Sequence, residues 1–122
     1  MIHIISLSDD DCLYAIERKE FSEAIVNAGE NVAVVMSQDW CPQWLQMNRF
    51  LNDEVNNQTV EITVFIVEYN KRSFFNNFMK IKENIWGNDQ IPYVRYYKNG
   101  KYTGDSNFIW KDLFFSKFTR LQ

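Results

Sequence analysis

The chain has 122 residues, of which 46% are hydrophobic and 16% aromatic, which is enough apolar material for one compact domain with a bulky core. Its net charge of −3 and its scattered basic residues give no reason to expect a nucleic acid or an anionic membrane as a partner. No run approaches the ~18 apolar residues of a membrane-spanning helix, and the N-terminal stretch lacks the basic start of a signal peptide. We therefore predict a single domain over residues 1–122, located in the cytoplasm, with two cysteines that do not suggest disulfide cross-linking.

The first part of the chain alternates strand and helix signals. Residues 3–7 predict a short strand, and Ser8, followed by three aspartates, predicts the start of a helix. That helix covers about residues 10–28, with or without a break near 19–22, because its apolar positions keep only approximate helical spacing. Residues 32–36 form an unbroken apolar run, which is typical of a strand covered on both faces.

The middle of the chain continues this alternation. An amphipathic helix is predicted to follow Cys41, and residues 60–69 predict a strand rich in β-branched side chains. Residues 71–86 carry phenylalanine and isoleucine at near-helical spacing, which predicts a further helix. Each strand is thus separated from the next by a helix.

The last part of the chain departs from the alternation. Asn99 and Gly100 form the strongest hairpin signal in the sequence, so residues 93–98 and 101–104 are predicted to pair antiparallel. A final helix is predicted over about 108–121. Its inward-facing positions are predicted to be Trp110, Leu113, Phe114, Phe118 and Leu121.

The resulting order of elements is β-α-β-α-β-α-β-β-α. Successive β-α-β units imply parallel strands joined by right-handed crossovers, with helices on both faces of the sheet. The terminal hairpin adds antiparallel strands. The predicted fold class is therefore α/β, with a mixed five-stranded sheet flanked by four helices.

The junction before the second main helix carries the main candidate for chemistry. Pro42 suits the first turn of a helix, and Cys41 precedes it, where outward-pointing N–H groups and the helix dipole stabilise a thiolate. The thiolate is the nucleophilic form of cysteine, and we expect a surface position for it. Asp39 and the absence of a basic neighbour argue against reactivity, as does the bulk of Trp40 and Trp44. A reactive and an inert Cys41 both stay open.

The stretch 40–44, W-C-P-Q-W, resembles the active-site motif W-C-x-x-C of the thioredoxin-like superfamily. The first cysteine of that motif is present as Cys41, whereas Trp44 stands in the place of the second. The order of elements is also similar to that of thioredoxin over nearly the whole chain. The resemblance therefore implies a thioredoxin fold and a role in thiol–disulfide redox chemistry.

The stretch 91–100, I-P-Y-V-R-Y-Y-K-N-G, resembles the thioredoxin segment in which a cis-proline precedes the penultimate strand. In that family the cis-proline lies against the active cysteine, and the residue before it offers backbone groups to an extended substrate peptide. The resemblance implies that Pro92 is cis and that Ile91 contacts the substrate. The residues alone favour an ordinary trans-proline at the start of a strand, because cis is a minority state of X-Pro bonds.

Other positions depart from the family in a consistent way. By the same resemblance, Val35 and Ile66 stand where thioredoxins carry a buried aspartate and a lysine that handle the proton of the second cysteine. Without a second thiol at position 44, the chain cannot turn over by the usual dithiol route. Cys12 is predicted to be buried on the opposite face of the sheet, too far from Cys41 to replace the missing thiol.

Three functional hypotheses follow. The first is a monothiol disulfide oxidoreductase, in which Cys41 is the nucleophile and an external thiol, with glutathione as a candidate co-substrate, releases the mixed disulfide. The second is a redox-inactive binding module for an extended partner segment. The third and weakest is a thiol that links two copies on oxidation, the protein being otherwise a monomer.

The predicted partner is a protein or peptide thiol or disulfide. No metal and no bound cofactor are predicted, since His3 is the only histidine. The predicted substrate-binding residues are Trp40, Pro42, Trp44, Ile91, Pro92 and Tyr93. The aromatic members of this set, Trp40, Trp44 and Tyr93, are expected to frame an exposed apolar patch around Cys41.

Arg95 is unusual because it lies in an otherwise aromatic strand. It is predicted to reach the rim of the sheet or to pair with a strand carboxylate such as Glu61 or Glu68. Binding of a substrate anion is the less favoured interpretation.

Overall fold

The computed structural model describes residues 1–119 as alternating strands and helices. In chain order the elements are β1 (Ile2–Ser6), α1 (Asp9–Arg18), α2 (Glu23–Val26), β2 (Asn31–Ser37), α3 (Pro42–Asp53), β3 (Ile62–Glu68), a 3₁₀ turn (Tyr69–Lys71), α4 (Phe75–Lys80), a π-helical turn (Ile81–Ile85), β4 (Tyr93–Lys98), β5 (Lys101–Ser106) and α5 (Lys111–Thr119). Across these residues, no helix has both the length and the apolar character needed to cross a bilayer.

The strands form one mixed sheet in the order β1-β3-β2-β4-β5. β1 and β2 both pair parallel with β3, whereas β4 pairs antiparallel with β2 and with β5. All seven residues of the central strand β2 are buried, as its unbroken apolar run predicted. The α/β class and the mixed five-stranded sheet predicted from the sequence are therefore confirmed.

The β4–β5 hairpin forms where the sequence predicted it. Asn99 and Gly100 adopt positive φ angles of 51° and 80°, the conformation that a two-residue hairpin turn requires. The hairpin lies at the edge of the sheet and brings the end of β5 beside the segment that enters β4.

Two apolar cores lie on opposite faces of the sheet. One face is covered by α1, α2 and α4, and its core includes Cys12 and Tyr93. The other face is covered by α3 and α5, and its core includes Cys41 and Trp44. We call them the α1 face and the α3 face. The prediction that the two cysteines lie on opposite faces is confirmed, and both are free.

The predicted helix over 10–28 is divided into α1 and α2, which raises the number of α-helices from the predicted four to five. Ser8 caps α1 through a reciprocal pair of bonds with Asp11, as its sequence suggested. The helix ends at Lys19, which is left-handed with φ 68°. Glu20 then turns toward the sheet, where its carboxylate accepts hydrogen bonds from Arg95 and Tyr97 at 2.9 Å and 2.6 Å. This contact with β4 directs the chain away from the helix axis.

The last helix begins later than predicted, at Lys111, and only part of its predicted inward face is correct. Phe114 and Phe118 are buried, but Trp110 and Leu113 are 63% and 56% exposed, so their predicted burial is wrong. Trp110 precedes the helix and packs against Phe108 instead, and Leu113 lies one residue outside the inward stripe. The predicted inward position Leu121 lies outside the described residues.

The predicted pairing of Arg95 with Glu61 or Glu68 is wrong. Arg95 is buried on the α1 face, where its guanidinium lies between the rings of Trp86 and Tyr102 at 4.4 Å and 4.3 Å. Both glutamates adjoin or end β3, and β2 separates that strand from β4. The partner of Arg95 is instead Glu20, at 2.9 Å.

Candidate functional site

Cys41 is the N-cap residue of α3, directly after the loop that follows the central strand β2. Pro42 occupies the first turn of the helix, and the carbonyl of Cys41 accepts the first helical hydrogen bond from Leu45 at 3.0 Å. The position at a helix N-terminus is therefore as predicted. The expected surface position is wrong, since Cys41 is only 4% exposed.

The sulfur of Cys41 lies against the segment that enters β4. Its Sγ donates to the carbonyl oxygen of Ile91 at 3.9 Å, across 50 residues of sequence. The Ile91–Pro92 bond is cis, and the resemblance to the thioredoxin segment is thereby confirmed in its geometry. Cys41 makes no side-chain capping bond to the first turn of α3, so the dipole of the helix acts on the sulfur without a direct hydrogen bond.

Trp44 fills the space under α3 rather than the surface beside Cys41. It is 1% exposed, belongs to the core of the α3 face, and donates its indole N–H to Glu68 at 2.8 Å. Beside it, Val35 is fully buried and lies directly opposite Ile66 in the β2–β3 register. By the resemblance, these three positions are those of the second cysteine and its proton-handling pair in the family, and here apolar side chains occupy all of them.

The predicted exposed patch of three aromatic residues does not form. Trp40 is 62% exposed, but Trp44 and Tyr93 are buried. Tyr93 points to the α1 face because side chains alternate along a strand, so that only its neighbour Val94 joins the core on the side of Cys41. The prediction of that patch is wrong, and Trp40 alone of the three offers a large exposed surface near the cysteine.

The loop before Cys41 is held by side-chain hydrogen bonds. Trp40 donates its indole N–H to Gln38 at 2.7 Å, and Gln38 in turn donates to the hydroxyl of Tyr69 at 3.4 Å. Asp39 is fixed by Asn70, which donates to its carboxylate at 2.8 Å and accepts from its main-chain N–H at 3.0 Å. The exposed ring of Trp40 is thus presented from an ordered loop.

Ile91 lies between the two cores and is half-buried, packing against both. Within the described part of the chain, the main-chain N–H of Ile91 makes no hydrogen bond. The carbonyl of the next residue, Pro92, accepts from the side chain of Asn107 at 2.9 Å. The segment therefore presents one free N–H beside the sulfur of Cys41.

Cys12 lies in the core opposite that of Cys41. It is fully buried in the core of the α1 face, and burial raises the pKa of its thiol from 9.0 to about 12. A thiol with so high a pKa has almost no thiolate at neutral pH. Cys12 can neither reach Cys41 nor act as a second nucleophile.

Sequence reasoning missed several polar residues behind the site. Lys82 lies in the stretch for which the sequence predicts only an apolar helix, yet it is fully buried. Asn88 and Asn107 were not singled out, since asparagine in a loop is common and usually solvated. The sequence contains one signal for this group of residues. Lys82 stands at a position that the helical spacing of the apolar residues predicts to face inward.

Comparison with known proteins identifies the fold. No protein-family model matches the sequence, and no curated protein matches it. Among solved structures, the chain is similar to thioredoxin O2 from Arabidopsis thaliana, with a TM-score of 0.64 and 9% identity over 94% of this chain and 90% of that one. It is also similar to oxidised thioredoxin from Plasmodium falciparum, with a TM-score of 0.60 and 17% identity over 98% of this chain and 100% of that one.

A third similar structure is a mutant thioredoxin from Halobacterium salinarum NRC-1, with a TM-score of 0.59 and 13% identity over 99% of this chain and 93% of that one. At these identities the likeness concerns the fold. Because it extends over almost the full length of both chains, this protein has a thioredoxin-like fold.

Proposed function

We propose that this thioredoxin-fold protein takes part in thiol–disulfide chemistry on a protein or peptide, as a monothiol oxidoreductase with Cys41 as its nucleophile. The observation that carries the proposal is the position of Cys41 Sγ, at a helix N-terminus and 3.9 Å from the carbonyl oxygen of Ile91. A peptide lying extended along Ile91 would bring its own sulfur next to Cys41.

The chemistry proceeds by two kinds of exchange. The Cys41 thiolate attacks one sulfur of a substrate disulfide, forms a mixed disulfide and releases the other sulfur as a thiolate, which is then protonated. An external thiol such as glutathione attacks the sulfur of Cys41 and releases the remaining substrate thiol. A second external thiol frees Cys41, so that the substrate disulfide is reduced while two external thiols are oxidised to one disulfide.

The main chain at Ile91 supports binding of an extended peptide. Its free N–H is a donor for a peptide carbonyl, in the manner of strand addition. Its carbonyl is engaged only by the long contact to the thiol of Cys41, which a stronger N–H donor would displace. Trp40, with most of its ring exposed, adds apolar contact area on the other side of the cysteine.

Alkylation of the native protein tests this proposal. Iodoacetamide is applied over a range of pH, and the labelling of each cysteine is measured by mass spectrometry. We expect Cys41 to be labelled at neutral pH, whereas Cys12, with its pKa raised to about 12 by burial, stays unlabelled and serves as an internal control. A Cys41 that is labelled only after unfolding contradicts the proposal.

A binding module without redox activity is the second candidate function. The low exposure of Cys41 favours it, as does the apolar filling of the positions around Trp44. In this case an extended partner segment lies across Trp40 and Ile91 without covalent chemistry. An array of extended peptides that lack cysteine separates the candidates: Cys41→Ser is expected to bind them as the parent does, and loss of binding in that variant contradicts the module.

The proposed location is a reducing compartment such as the cytoplasm, which would supply the external thiol. The proposed resting form is a monomer. A dimer linked through Cys41 remains the third hypothesis, and it requires the loop around Ile91 to move, because the sulfur is covered on this side. Electrophoresis without reductant, after treatment with diamide, detects such a dimer.

A further inference from the structure

The segment that leads to Ile91 is held from behind by a buried lysine. Lys82 is fully buried and belongs to the π-helical turn after α4. Its Nζ donates to the carbonyl of Asn88 at 2.8 Å, and its own carbonyl accepts from the N–H of Asn88 at 3.0 Å. One residue thus holds both main-chain polar groups of Asn88.

The side chain of Asn88 extends this set of hydrogen bonds toward Ile91. Its Oδ1 accepts from the main-chain N–H of Gln90 at 3.0 Å, and its amide exchanges two hydrogen bonds with the amide of Asn107, at 2.9 Å and 3.0 Å. Asn107 also donates to the carbonyl of Pro92 at 2.9 Å. A continuous chain of hydrogen bonds therefore joins Lys82 to both sides of Ile91.

Burying a lysine here costs more free energy than burying an apolar side chain of similar length, because the ammonium loses its hydration. Burial disfavours the ammonium and lowers the pKa of Lys82, while Glu83 and Asp89 favour the charged form. The ring of Tyr93 lies 5.7 Å from the nitrogen. An apolar side chain of similar length would pack there without losing hydration, but it would leave the carbonyl of Asn88 without a donor. Unlike such a side chain, the lysine fixes the position of the loop through its hydrogen bond to the carbonyl of Asn88.

We propose that Lys82 is a positioning residue, which acts through Asn88 and Asn107 to hold Ile91 against Cys41 and to keep its backbone in place for an extended peptide. This inference rests on the proposed function, because that function assigns peptide binding to the main chain at Ile91. Lys82 itself touches neither the sulfur nor the peptide. Loosening the loop would uncover Cys41 and disorder the peptide-binding edge at the same time.

The test compares Lys82→Met with Lys80→Met, a matched change at an exposed lysine of the same helical segment. Asn107→Ala serves as a second variant that breaks the chain at its other end. In Lys82→Met and Asn107→Ala we expect the amides of Asn88 and Gln90 to exchange with deuterium about tenfold faster, as expected for loss of a buried hydrogen bond. Amides of β2 and β3 are expected to keep their protection.

Two further readouts separate positioning from general destabilisation. In both loop variants we expect iodoacetamide to label Cys41 several-fold faster, while affinity for the extended peptides falls. Cys12 reports global opening, since it is buried in the other core, and its labelling is expected to stay unchanged. Lys80→Met is expected to behave as the parent protein in all three measurements.

The proposal is overturned if the variants leave amide exchange at Asn88 and Gln90 unchanged. It is equally overturned if amide exchange in β2 and β3 and labelling of Cys12 accelerate as much as exchange in the loop. It is also overturned if the loop opens while the labelling of Cys41 and the peptide affinity stay as they were. A parent protein whose Cys41 is never labelled and that binds no peptide contradicts the proposed function instead. In that event the exchange data still report on the hydrogen-bond chain, so the two failures remain distinguishable.

Discussion

The two sides of Cys41 contrast sharply. Toward the sheet lies an apolar cluster of the buried Trp44 and Val35 with the half-buried Ile66, in which the indole N–H donates to a carboxylate. Toward solvent lies a rim with the exposed ring of Trp40 and the free N–H of Ile91. By the resemblance, the inner side is where the family holds the second thiol and its proton-handling charges, and under the proposed function only the outer side takes part in the chemistry of this chain.

The contrast teaches that the two halves of such a site can be separated. The inner side now contributes stability, because a tryptophan buries more apolar area than a cysteine. The outer side is the one on which the proposed function places an extended peptide. Three substitutions test this division, taken in order of their effect on the free energy of unfolding, and a titration of Cys12 tests the opposite core for contrast.

Trp44→Ala is expected to have the largest effect. It removes a fully buried indole and leaves the carboxylate of Glu68 with its longer contact to Lys71, at 3.4 Å, so we expect a loss of about 3–5 kcal/mol. Urea unfolding followed by circular dichroism at neutral pH measures the change. A loss below about 1 kcal/mol would show that the inner side is not a packed cluster.

Val35→Asp places a carboxylate at the position of the family's buried aspartate, and we expect it to destabilise by about 3 kcal/mol at neutral pH. Because Ile66 lies directly opposite in the register, the double variant with Ile66→Lys is expected to recover part of that loss. Ile66→Lys alone is the control for the cycle. Strict additivity of the two changes would argue that the positions do not face each other.

Titration of Cys12 is expected to have an effect that appears only at alkaline pH. Its folded pKa, raised to about 12, lies above the ordinary value of 9.0, so the folded state resists ionisation that the unfolded state undergoes. The resulting stability is present below about pH 9 and is lost as pH rises toward about 12, by up to about 1.4 kcal/mol per pH unit.

The matched comparison for this titration is Cys12→Ala. Burial also raises the pKa of Tyr96 and Tyr97, which gives a loss of the same sign in both proteins, so the difference between the two curves isolates the thiol. We expect the variant to lose less stability over this range. Parallel curves would mean that Cys12 is not held as a neutral thiol.

Trp40→Ala is expected to have the smallest effect on stability, within about 0.5 kcal/mol, since most of its ring is in solvent. Its affinity for extended peptides is expected to fall on the order of tenfold or more, as for an exposed aromatic anchor at an interface. Fluorescence anisotropy of labelled peptides measures this. Unchanged affinity would mean that the peptide does not contact Trp40, which would contradict the proposed peptide-binding site.

Much of the fold was predictable because its signals are local. The unbroken apolar run of β2, the Ser8 capping box and the Asn99–Gly100 turn each act within a few residues of sequence. The place of Cys41 at the start of α3 was predicted from Pro42 and the apolar run before it, whereas the cis bond before Pro92 was predicted from the resemblance of a short motif. The helix break at Lys19 was left open, because its cause lies in another part of the chain.

Two of the errors concern pairings across long distances in sequence. The partner of Arg95 is 75 residues away, and only the strand order shows that β3 is out of its reach. The burial of Tyr93 depends on which way β4 faces once the segment before it has met α3. Spacing along one element cannot contain that information, since it is set by the packing of one element on another.

The sequence by itself determined the order and type of the elements, the central buried strand, the hairpin, and the placing of a lone cysteine at the start of a helix. Local backbone preferences and apolar periodicity are enough for each of these. Only the tertiary structure decided that the sulfur is covered by Ile91, that Trp44 fills the inner side, and that Lys82 holds the loop behind the site. Those outcomes depend on which buried groups find partners when distant segments pack together, and a linear pattern does not specify that.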